Sequence, residues 1–247
     1  MPLQVEMMNQ QGSVAQTAVI TGASSGIGKE LAEQLSRAGY STVIAARSIS
    51  KLNAIAENIN SQGGRCLSVL TDVTIQSDIQ NLAEKASQFG KVAILINNAG
   101  MGLFGFIEEL SIDDWNNQLD VNLRGAFLTS QAFVPIMKEN KMGVLVFINS
   151  IAGRQPFSQS TAYVASKFGL RGLASSLREE LREHNIKVIS VYPGAVDTPF
   201  WDKVKNNFPR KDMLDSKSLA KSIIDSILAP GNLTIEEMVI RRISGDF

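Results

Sequence analysis

Short apolar runs rich in Val and Ile recur along the chain, with few polar residues inside them. Continuous apolar runs of this length are typical of strands that are covered on both faces, as in a parallel sheet. The pattern predicts strands at Val14 to Ile20, Ser41 to Ala46, Cys66 to Leu70, Val92 to Ile96, Val144 to Ile148 and Lys187 to Val191.

Longer stretches between these runs carry apolar residues at helical spacing. From Ser50 to Ser61, for example, Leu52, Ile55 and Ile59 fall on one face. The predicted helices span Ile27 to Ala38, Ser50 to Ser61, Gln76 to Gln88, Ser111 to Lys138 with a bend near Pro135, Ser160 to Glu183 and Asp215 to Leu228.

The alternation of strands and helices is unbroken, and the chain has no repeat or linker-like stretch. This order predicts an α/β fold with a doubly wound parallel sheet, Rossmann-like in form. It also predicts a single domain over residues 1–247. The segment from Pro193 to Lys217 has little periodicity, so we expect a long loop over the site at about residues 194–217.

The composition excludes several classes of function. The 24 Lys and Arg balance the 24 Asp and Glu, which gives no electrostatic case for a nucleic acid or an anionic membrane as a partner. The single Cys66 fits a reducing compartment, and the single His184 excludes a multi-histidine metal site. Residues Met1 to Gln11 lack a signal-peptide pattern, and no apolar stretch approaches the about 18 residues of a membrane span. We expect a soluble cytoplasmic protein without a bound metal.

Three glycines follow the first predicted strand and begin the first helix, at Gly22, Gly26 and Gly28. Glycine permits a tight turn with positive φ, and the start of a helix offers free N–H donors to a phosphate. The spacing G-x-x-x-G-x-G at this strand-to-helix junction indicates a dinucleotide site. The alternative is a glycine-rich turn that only packs the helix onto the strand.

Arg47 directly follows the second predicted strand, where an NAD site typically has an acidic residue for the ribose 2′-hydroxyl. No acidic residue occurs between Ser41 and Ala56. A guanidinium at this place can bind a 2′-phosphate, so we expect NADP(H) rather than NAD(H) as the cofactor. A solvated surface arginine is the alternative.

Tyr163 and Lys167 lie four residues apart in a predicted helix and therefore on one face. A nearby ammonium favours the phenolate, so we expect Lys167 to lower the pKa of Tyr163 from its usual value of about 10. Tyr163 would then be a general acid and base near neutral pH. Ser150 ends a predicted strand at the same edge of the sheet, and its hydroxyl is suited to hold a substrate oxygen.

These motifs resemble those of the short-chain dehydrogenase/reductase family. The resemblance is carried by TGASSGIG at Thr21 to Gly28, by Asn97-Asn98-Ala99-Gly100, by Asn122, by Ser150 with Tyr163 and Lys167, and by Pro193-Gly194. Order and spacing agree with the family over roughly Val14 to Thr198. Asn149 stands where serine is common in the family, and we expect this departure to affect the chemistry little.

The resemblance implies a role for each matching residue. Tyr163 would be the general acid or base, Lys167 would tune it and hold the nicotinamide ribose, and Ser150 would orient the substrate oxygen. Asn122 would fix a water that connects Lys167 to a proton relay. Asp72 and Val73 would meet the adenine, and Asn98 to Gly100 would flank the adenine ribose and support the sheet. The nicotinamide would be seated by Pro193, Gly194, Val196 and Thr198.

With Arg47, the expected cofactor-binding residues are Gly22, Ser24, Ser25, Gly26, Ile27, Gly28, Arg47, Asp72, Val73, Asn98, Ala99, Gly100, Tyr163, Lys167, Pro193, Gly194, Val196 and Thr198. The resemblance also implies the strand order 3-2-1-4-5-6-7. It further implies homo-oligomers, dimers or tetramers, that pack through the helices bearing Asn122 and Tyr163.

Two functions follow from this interpretation. One is an oxidoreductase that transfers a hydride between NADP(H) and a carbonyl compound or secondary alcohol. The other is a non-catalytic dinucleotide-binding protein that regulates or binds partners on the same fold. Retention of the four catalytic-type residues favours the enzyme. The apolar residues in loops around the site are either an apolar substrate pocket or ordinary loop anchors; they are Met101, Phe104, Phe157, Phe200 and Trp201.

Overall fold

The structure is a computed structural model that describes residues 15–204, 209–230 and 233–245. Its strands form one sheet in the order β3-β2-β1-β4-β5-β6-β7, and all neighbouring strands are parallel. The strands are β1 (Gln16–Thr21), β2 (Ser41–Ala46), β3 (Cys66–Leu70), β4 (Lys91–Asn97), β5 (Gly143–Ile148), β6 (Ile186–Pro193) and β7 (Glu237–Ile240). The doubly wound parallel sheet and its strand order are confirmed.

Helices cover both faces of the sheet. They are α1 (Gly26–Arg37), α2 (Ile49–Ser61), α3 (Gln76–Phe89), α4 (Ile112–Leu119), α5 (Gly125–Asn140), α6 (Thr161–Leu181) and α7 (Ser216–Ile227). Buried residues of α1, α2 and α7 form one core with the sheet, and those of α3, α5 and α6 form the other. Within β1, Val19 belongs to one core and its neighbour Ile20 to the other. The inner strands β1, β2, β4, β5 and β6 are largely apolar because both of their faces are covered.

Two elements differ from the sequence prediction. The predicted helix from Ser111 to Lys138 is two helices, α4 and α5, joined by a π-helical turn at Asp120–Arg124. The regular helix is thus interrupted near Asn122, whereas Pro135 lies inside α5. The apolar pattern did not mark β7, a four-residue edge strand that is only partly buried. The predicted start of the first strand, Val14, lies outside the described residues.

The carboxyl ends of the parallel strands meet at one edge of the sheet. Gly22 follows β1, Asn98 follows β4, and Gly194 follows β6. After β6 the chain forms a loop whose base is pinned by a parallel bridge between Val196 and Leu214. This loop contains short 3₁₀ helices at Pro199–Lys203 and Arg210–Asp212, and residues 205–208 within it lie outside the described part of the chain.

None of the helices in the described residues is both long enough and apolar enough to cross a membrane.

Candidate active site

The turn between β1 and α1 requires glycine at two positions. Gly22 has φ +64° and Gly26 has φ +53°, both in the left-handed region. A Cβ atom at Gly22 would also lie 2.7 Å from the Cα atom of Ala99. A side chain is therefore disfavoured by backbone conformation at both positions, and at Gly22 it would also collide with the backbone of Ala99.

Hydrogen bonds between Thr21, the last residue of β1, and Asn98, which follows the neighbouring strand β4, hold this turn in place. The Asn98 Nδ2 donates to the carbonyls of Thr21 at 2.9 Å and Gly22 at 3.1 Å. The Thr21 Oγ1 accepts from the backbone N–H groups of Asn98 and Ala99, each at 3.1 Å. Asn98 therefore supports the glycine turn with its side-chain donors.

The start of α1 fits the pyrophosphate of a dinucleotide. Ser25 is the N-cap residue, and its side chain makes no capping hydrogen bond within the described residues. The first turn of α1 also contains no acidic residue. Backbone N–H groups at the start of a helix have no intrahelical acceptor and favour an anion. Ser24 and Ile27 flank this position, and both are partly buried.

The remaining residues expected at the cofactor follow the ends of other strands. Arg47 is exposed directly after β2. The Asp72 Oδ1 accepts from the backbone N–H of Thr74 at 2.9 Å and from its hydroxyl at 2.7 Å, so this carboxylate oxygen holds a local turn. Val73 packs against the start of α5, where a Cβ at Gly125 would lie 2.7 Å from its Cγ2.

The segment after β6 lies against the glycine turn. Pro193 ends β6, and the Gly194 N–H donates to the carbonyl of Ile240 at 2.9 Å. Thr198 is buried, and its Cβ lies 2.9 Å from the position that a Cβ of Gly26 would take. Val196 is likewise buried. The structure thus brings Thr198, at the end of this segment, against the glycine turn.

Lys167 is buried beside Tyr163 on α6. Its side chain is the donor of a 3.0 Å hydrogen bond from Nζ to the carbonyl of Ile148, the last residue of β5. The Nζ atom lies 5.7 Å from the centre of the Tyr163 ring. Burial lowers the pKa of Lys167 to about 8. At neutral pH the ammonium therefore predominates, although it is easier to deprotonate than in water.

The Tyr163 hydroxyl is hydrogen-bonded to Ser150. Burial raises the pKa of Tyr163 to about 12, and the hydrogen bond with Ser150 acts in the opposite direction. The expectation that Lys167 brings this pKa below about 10 is therefore wrong for this geometry, because the loss of hydration outweighs the other effects. The Ser150 Oγ accepts from the backbone N–H of Ala152 at 3.1 Å, which fixes the hydroxyl oxygen.

Asn122 lies in the π-helical turn and connects three segments of the site. Its Oδ1 accepts from the Met101 N–H at 2.8 Å, and its Nδ2 donates to the Met101 carbonyl at 2.8 Å and to the Ser166 Oγ at 3.0 Å. A Cβ at Gly100 would lie 3.4 Å from the Asn122 Oδ1 and 3.8 Å from the Lys167 Nζ. Asn122 therefore borders the same small space as the ammonium, and π-helical turns are frequent at functional sites.

Sequence reasoning missed Ser166. It lies on α6 one residue before Lys167 and accepts from Asn122, and no motif or spacing marks it.

Three of the five apolar loop residues collect around Tyr163. The Phe104 and Phe200 ring centres lie 5.5 Å and 6.0 Å from that of Tyr163. Trp201 stacks on Phe104 at 6.3 Å with an angle of 5° between the ring planes. Phe157 is 39% exposed, and Met101 binds Asn122 through its backbone. Phe104 and Phe200 therefore form an aromatic wall beside the Tyr163 ring, and Trp201 extends it.

Comparison with known proteins identifies the family. Residues 16–208 match the family model described as short chain dehydrogenase. A sepiapterin reductase from Chlorobaculum tepidum is 31% identical over 236 residues, which cover 92% of this chain and 96% of that protein. The chain therefore belongs to the short-chain dehydrogenase/reductase family of oxidoreductases.

Solved structures agree with this assignment. The alcohol dehydrogenase from the archaeon Thermococcus sibiricus, complexed with 5-hydroxy-NADP, superposes with a TM-score of 0.86 at 29% identity and covers 93% of this chain and 97% of that one. A metagenomic short-chain oxidoreductase in complex with NADP gives a TM-score of 0.80 at 33% identity and covers 92% and 96%.

Proposed function

We propose that the protein is an NADP(H)-dependent enzyme that interconverts a carbonyl compound and a secondary alcohol, with Tyr163 as the general acid and base. The observation that carries this proposal is the grouping of Tyr163, Ser150 and the buried Lys167 at the sheet edge that bears the glycine turn. The preference for NADP(H) is supported by Arg47 after β2 and by the two NADP-type complexes among similar structures.

The dinucleotide, when bound, supplies or accepts the hydride. The protein then has to provide a proton and stabilise charge on the substrate oxygen. The phenol of Tyr163 is protonated at neutral pH and can therefore donate its proton to a carbonyl oxygen. Its raised pKa makes it a weaker acid than a free phenol, and the positive charge of the nearby Lys167 acts in the opposite direction. In the alcohol-oxidising direction the same oxygen has to accept a proton, and the positive charge of Lys167 favours that step.

Ser150 is the second group for the substrate oxygen. Because its Oγ accepts from the Ala152 N–H, its hydroxyl hydrogen is directed away from that bond and can be donated to a substrate oxygen. A donor held in place before the reaction stabilises developing negative charge without reorganising. Asn122 would hold a water next to Lys167, a role that rests on the family resemblance and on the proximity of the two side chains at Gly100.

The substrate is apolar in this proposal. Phe104, Phe200 and Trp201 form the wall beside Tyr163. Such a wall suits a hydrophobic ketone, aldehyde or secondary alcohol better than a charged metabolite. The loop at about residues 194–217 carries two of these rings and would therefore close over the substrate. Arg210 ties this loop to itself through ion pairs with Asp197 and Asp202.

A homo-oligomer, as a dimer or tetramer, belongs to the same proposal. The outer surface of α5 and α6 presents Phe127 and Phe168, which are 45% and 41% exposed. A shallow groove beside Phe127 is lined by Leu119, Leu123 and Leu173. Exposed apolar patches often mark interfaces, and this one lies on the helices that the family resemblance singles out. A cytoplasmic location is suggested by the single cysteine, Cys66, a buried free thiol.

The deciding experiment compares Tyr163→Phe with the wild type. NADPH consumption is measured with a panel of apolar ketones and aldehydes, and dinucleotide affinity is measured separately. We expect kcat to fall by at least about a hundredfold, the scale of a lost general acid, with dinucleotide affinity retained. Tyr40→Phe removes a phenol hydroxyl from the partly buried ring between α1 and β2, away from the site, and is the matched control. Unchanged turnover in a folded, dinucleotide-binding Tyr163→Phe protein would refute the role of Tyr163.

A further inference from the structure

Asn149 lies between the last residue of β5 and Ser150, and its side chain forms a bridge. It is 3% exposed. Its backbone N–H donates to the Val191 carbonyl at 2.8 Å, which extends the pairing of β5 with β6. Its Oδ1 accepts from the Ser150 N–H at 2.9 Å, and its Nδ2 donates to the Lys167 carbonyl at 3.1 Å. One amide group therefore connects the backbones of two residues of the proposed catalytic set.

A second hydrogen bond also links α6 to the end of β5. The Lys167 Nζ donates to the carbonyl of Ile148, the residue before Asn149. Lys167 is thus tied to the end of β5 by its side chain and by its backbone carbonyl. The distance between that strand end and α6 is fixed by two hydrogen bonds, both in a buried environment where losing a partner is costly.

Gly153 leaves the space that this bridge needs. A Cβ atom there would lie 2.4 Å from the Asn149 Oδ1 and 2.9 Å from the Lys167 carbonyl oxygen. The 3₁₀ turn at Ile151–Gly153 that follows Ser150 is therefore shaped around the asparagine amide. A serine at position 149 would have a shorter side chain with a single oxygen, which would have to serve as acceptor for the Ser150 N–H and as donor to the Lys167 carbonyl at once.

We propose that Asn149 is a positioning residue, which sets the place of the Ser150 hydroxyl relative to Tyr163 and Lys167; this inference rests on the proposed function. Asn149 acts through the Ser150 N–H and the α6 carbonyl. In the sequence analysis, the asparagine at this position was expected to affect the chemistry little. The proposed positioning role is different from that expectation. A misplacement of about 1 Å in a catalytic group can cost about a hundredfold in rate, so the bridge has a measurable consequence.

The test is a double-mutant cycle of Asn149→Ala and Ser150→Ala, measured by NADPH consumption with one active ketone. We expect Asn149→Ala alone to lower kcat by about ten- to a hundredfold, with dinucleotide affinity within about twofold of the wild type. In the Ser150→Ala background the same change should lower kcat by at most about twofold, because the group that it positions is already absent. A general loss of stability would lower activity equally in both backgrounds.

Asn60→Ala is the matched control. Asn60 makes the same kind of bridge, with Oδ1 accepting from the Cys66 N–H at 2.7 Å and Nδ2 donating to the Cys66 carbonyl at 3.1 Å, away from the site. We expect its kcat to be unchanged. Asn149→Asp keeps the side-chain volume and the acceptor for Ser150 but removes the donor to α6, and it replaces Asn149→Ala if the latter does not fold. It too should lower kcat.

The proposal is overturned if the Asn149 variants keep kcat within about twofold of the wild type, or if Asn149→Ala has an equal effect in both backgrounds. Hydrogen exchange of the Ser150 amide separates this result from failure of the proposed function. A wild type that reduces no carbonyl compound defeats the enzymatic proposal itself. Faster exchange at Ser150 in Asn149→Ala would still support the positioning contact, and unchanged exchange would refute it.

Discussion

Replacing Lys167 by methionine is expected to stabilise the protein at neutral pH while removing its activity. The side chain is 4% exposed, and burial lowers its pKa from 10.5 to about 8. A difference of about 2.5 between the two pKa values corresponds to about 3 kcal/mol, because each pKa unit is worth about 1.4 kcal/mol. Below pH 8 the folded protein is less stable by this amount, because it buries the charged form of Lys167. Methionine has a similar length and no charge to desolvate, and loss of the Nζ hydrogen bond to the Ile148 carbonyl offsets about 1 kcal/mol of this gain.

The pH dependence gives the sign of the effect. Between about pH 8 and 10.5 the unfolded chain binds more protons at this lysine than the folded chain, so wild-type stability rises with pH in this window. The stability advantage of Lys167→Met over the wild type should shrink by about 2 kcal/mol between pH 7 and pH 9.5. Tyr163 is present in both proteins, and its titration therefore largely cancels in the difference.

Urea unfolding at pH 7 and pH 9.5, at one protein concentration and without added dinucleotide, measures this difference. Lys221→Met is the control, because Lys221 is 70% exposed in an ion pair with Asp225. Its stability difference from the wild type should stay nearly constant across the same pH range. If the Lys167→Met difference is equally constant, the lysine is not a desolvated ammonium and the electrostatic description of the site is wrong.

Two further predictions concern the cofactor and the assembly. Arg47→Ala should raise the KM for NADPH by about 10- to 100-fold, because one charge-assisted hydrogen bond to a phosphate is lost. The KM for NADH should stay nearly unchanged. Equal effects on both KM values would exclude a contact between Arg47 and the 2′-phosphate. The double variant Phe127→Glu, Phe168→Glu should be monomeric when the wild type is an oligomer. Light scattering measures the mass, and circular dichroism checks that the fold is retained. An unchanged mass would exclude this face as the interface.

Most strands that sequence analysis found, namely β1, β2, β4, β5 and β6, are largely buried on both faces and therefore show nearly unbroken apolar runs. The edge strand β3 was also found, because its short run from Cys66 to Leu70 is still mostly apolar although it is only partly buried. The edge strand β7 has four residues, of which Glu237 is the first. It is fixed by contacts that no local pattern reveals. Tyr192 donates to the Glu237 carboxylate at 3.0 Å, and Arg154 pairs with it at 2.7 Å. Only the family resemblance placed a seventh strand at this edge.

The sequence predicted which residues belong to the candidate site, but it did not predict the local backbone near Asn122 or the pKa of Tyr163. Parallel strands bring their carboxyl ends together, so motifs after β1, β4 and β5 had to meet. The π-helical turn at Asp120–Arg124 was not predictable, because one additional residue in a turn hardly changes an apolar pattern. The pKa of Tyr163 depends on burial as well as on its partners, and burial is a property of the folded chain that spacing does not encode.

The brace of Thr21 and Asn98 has a consequence for the kinetics of ligand capture. The turn that would receive the pyrophosphate is held in shape by hydrogen bonds to the adjacent strand. Little ordering entropy is then left to be lost when a nucleotide arrives. We expect capture to occur in one fast step, so that differences in affinity among nucleotides arise from how quickly each one leaves.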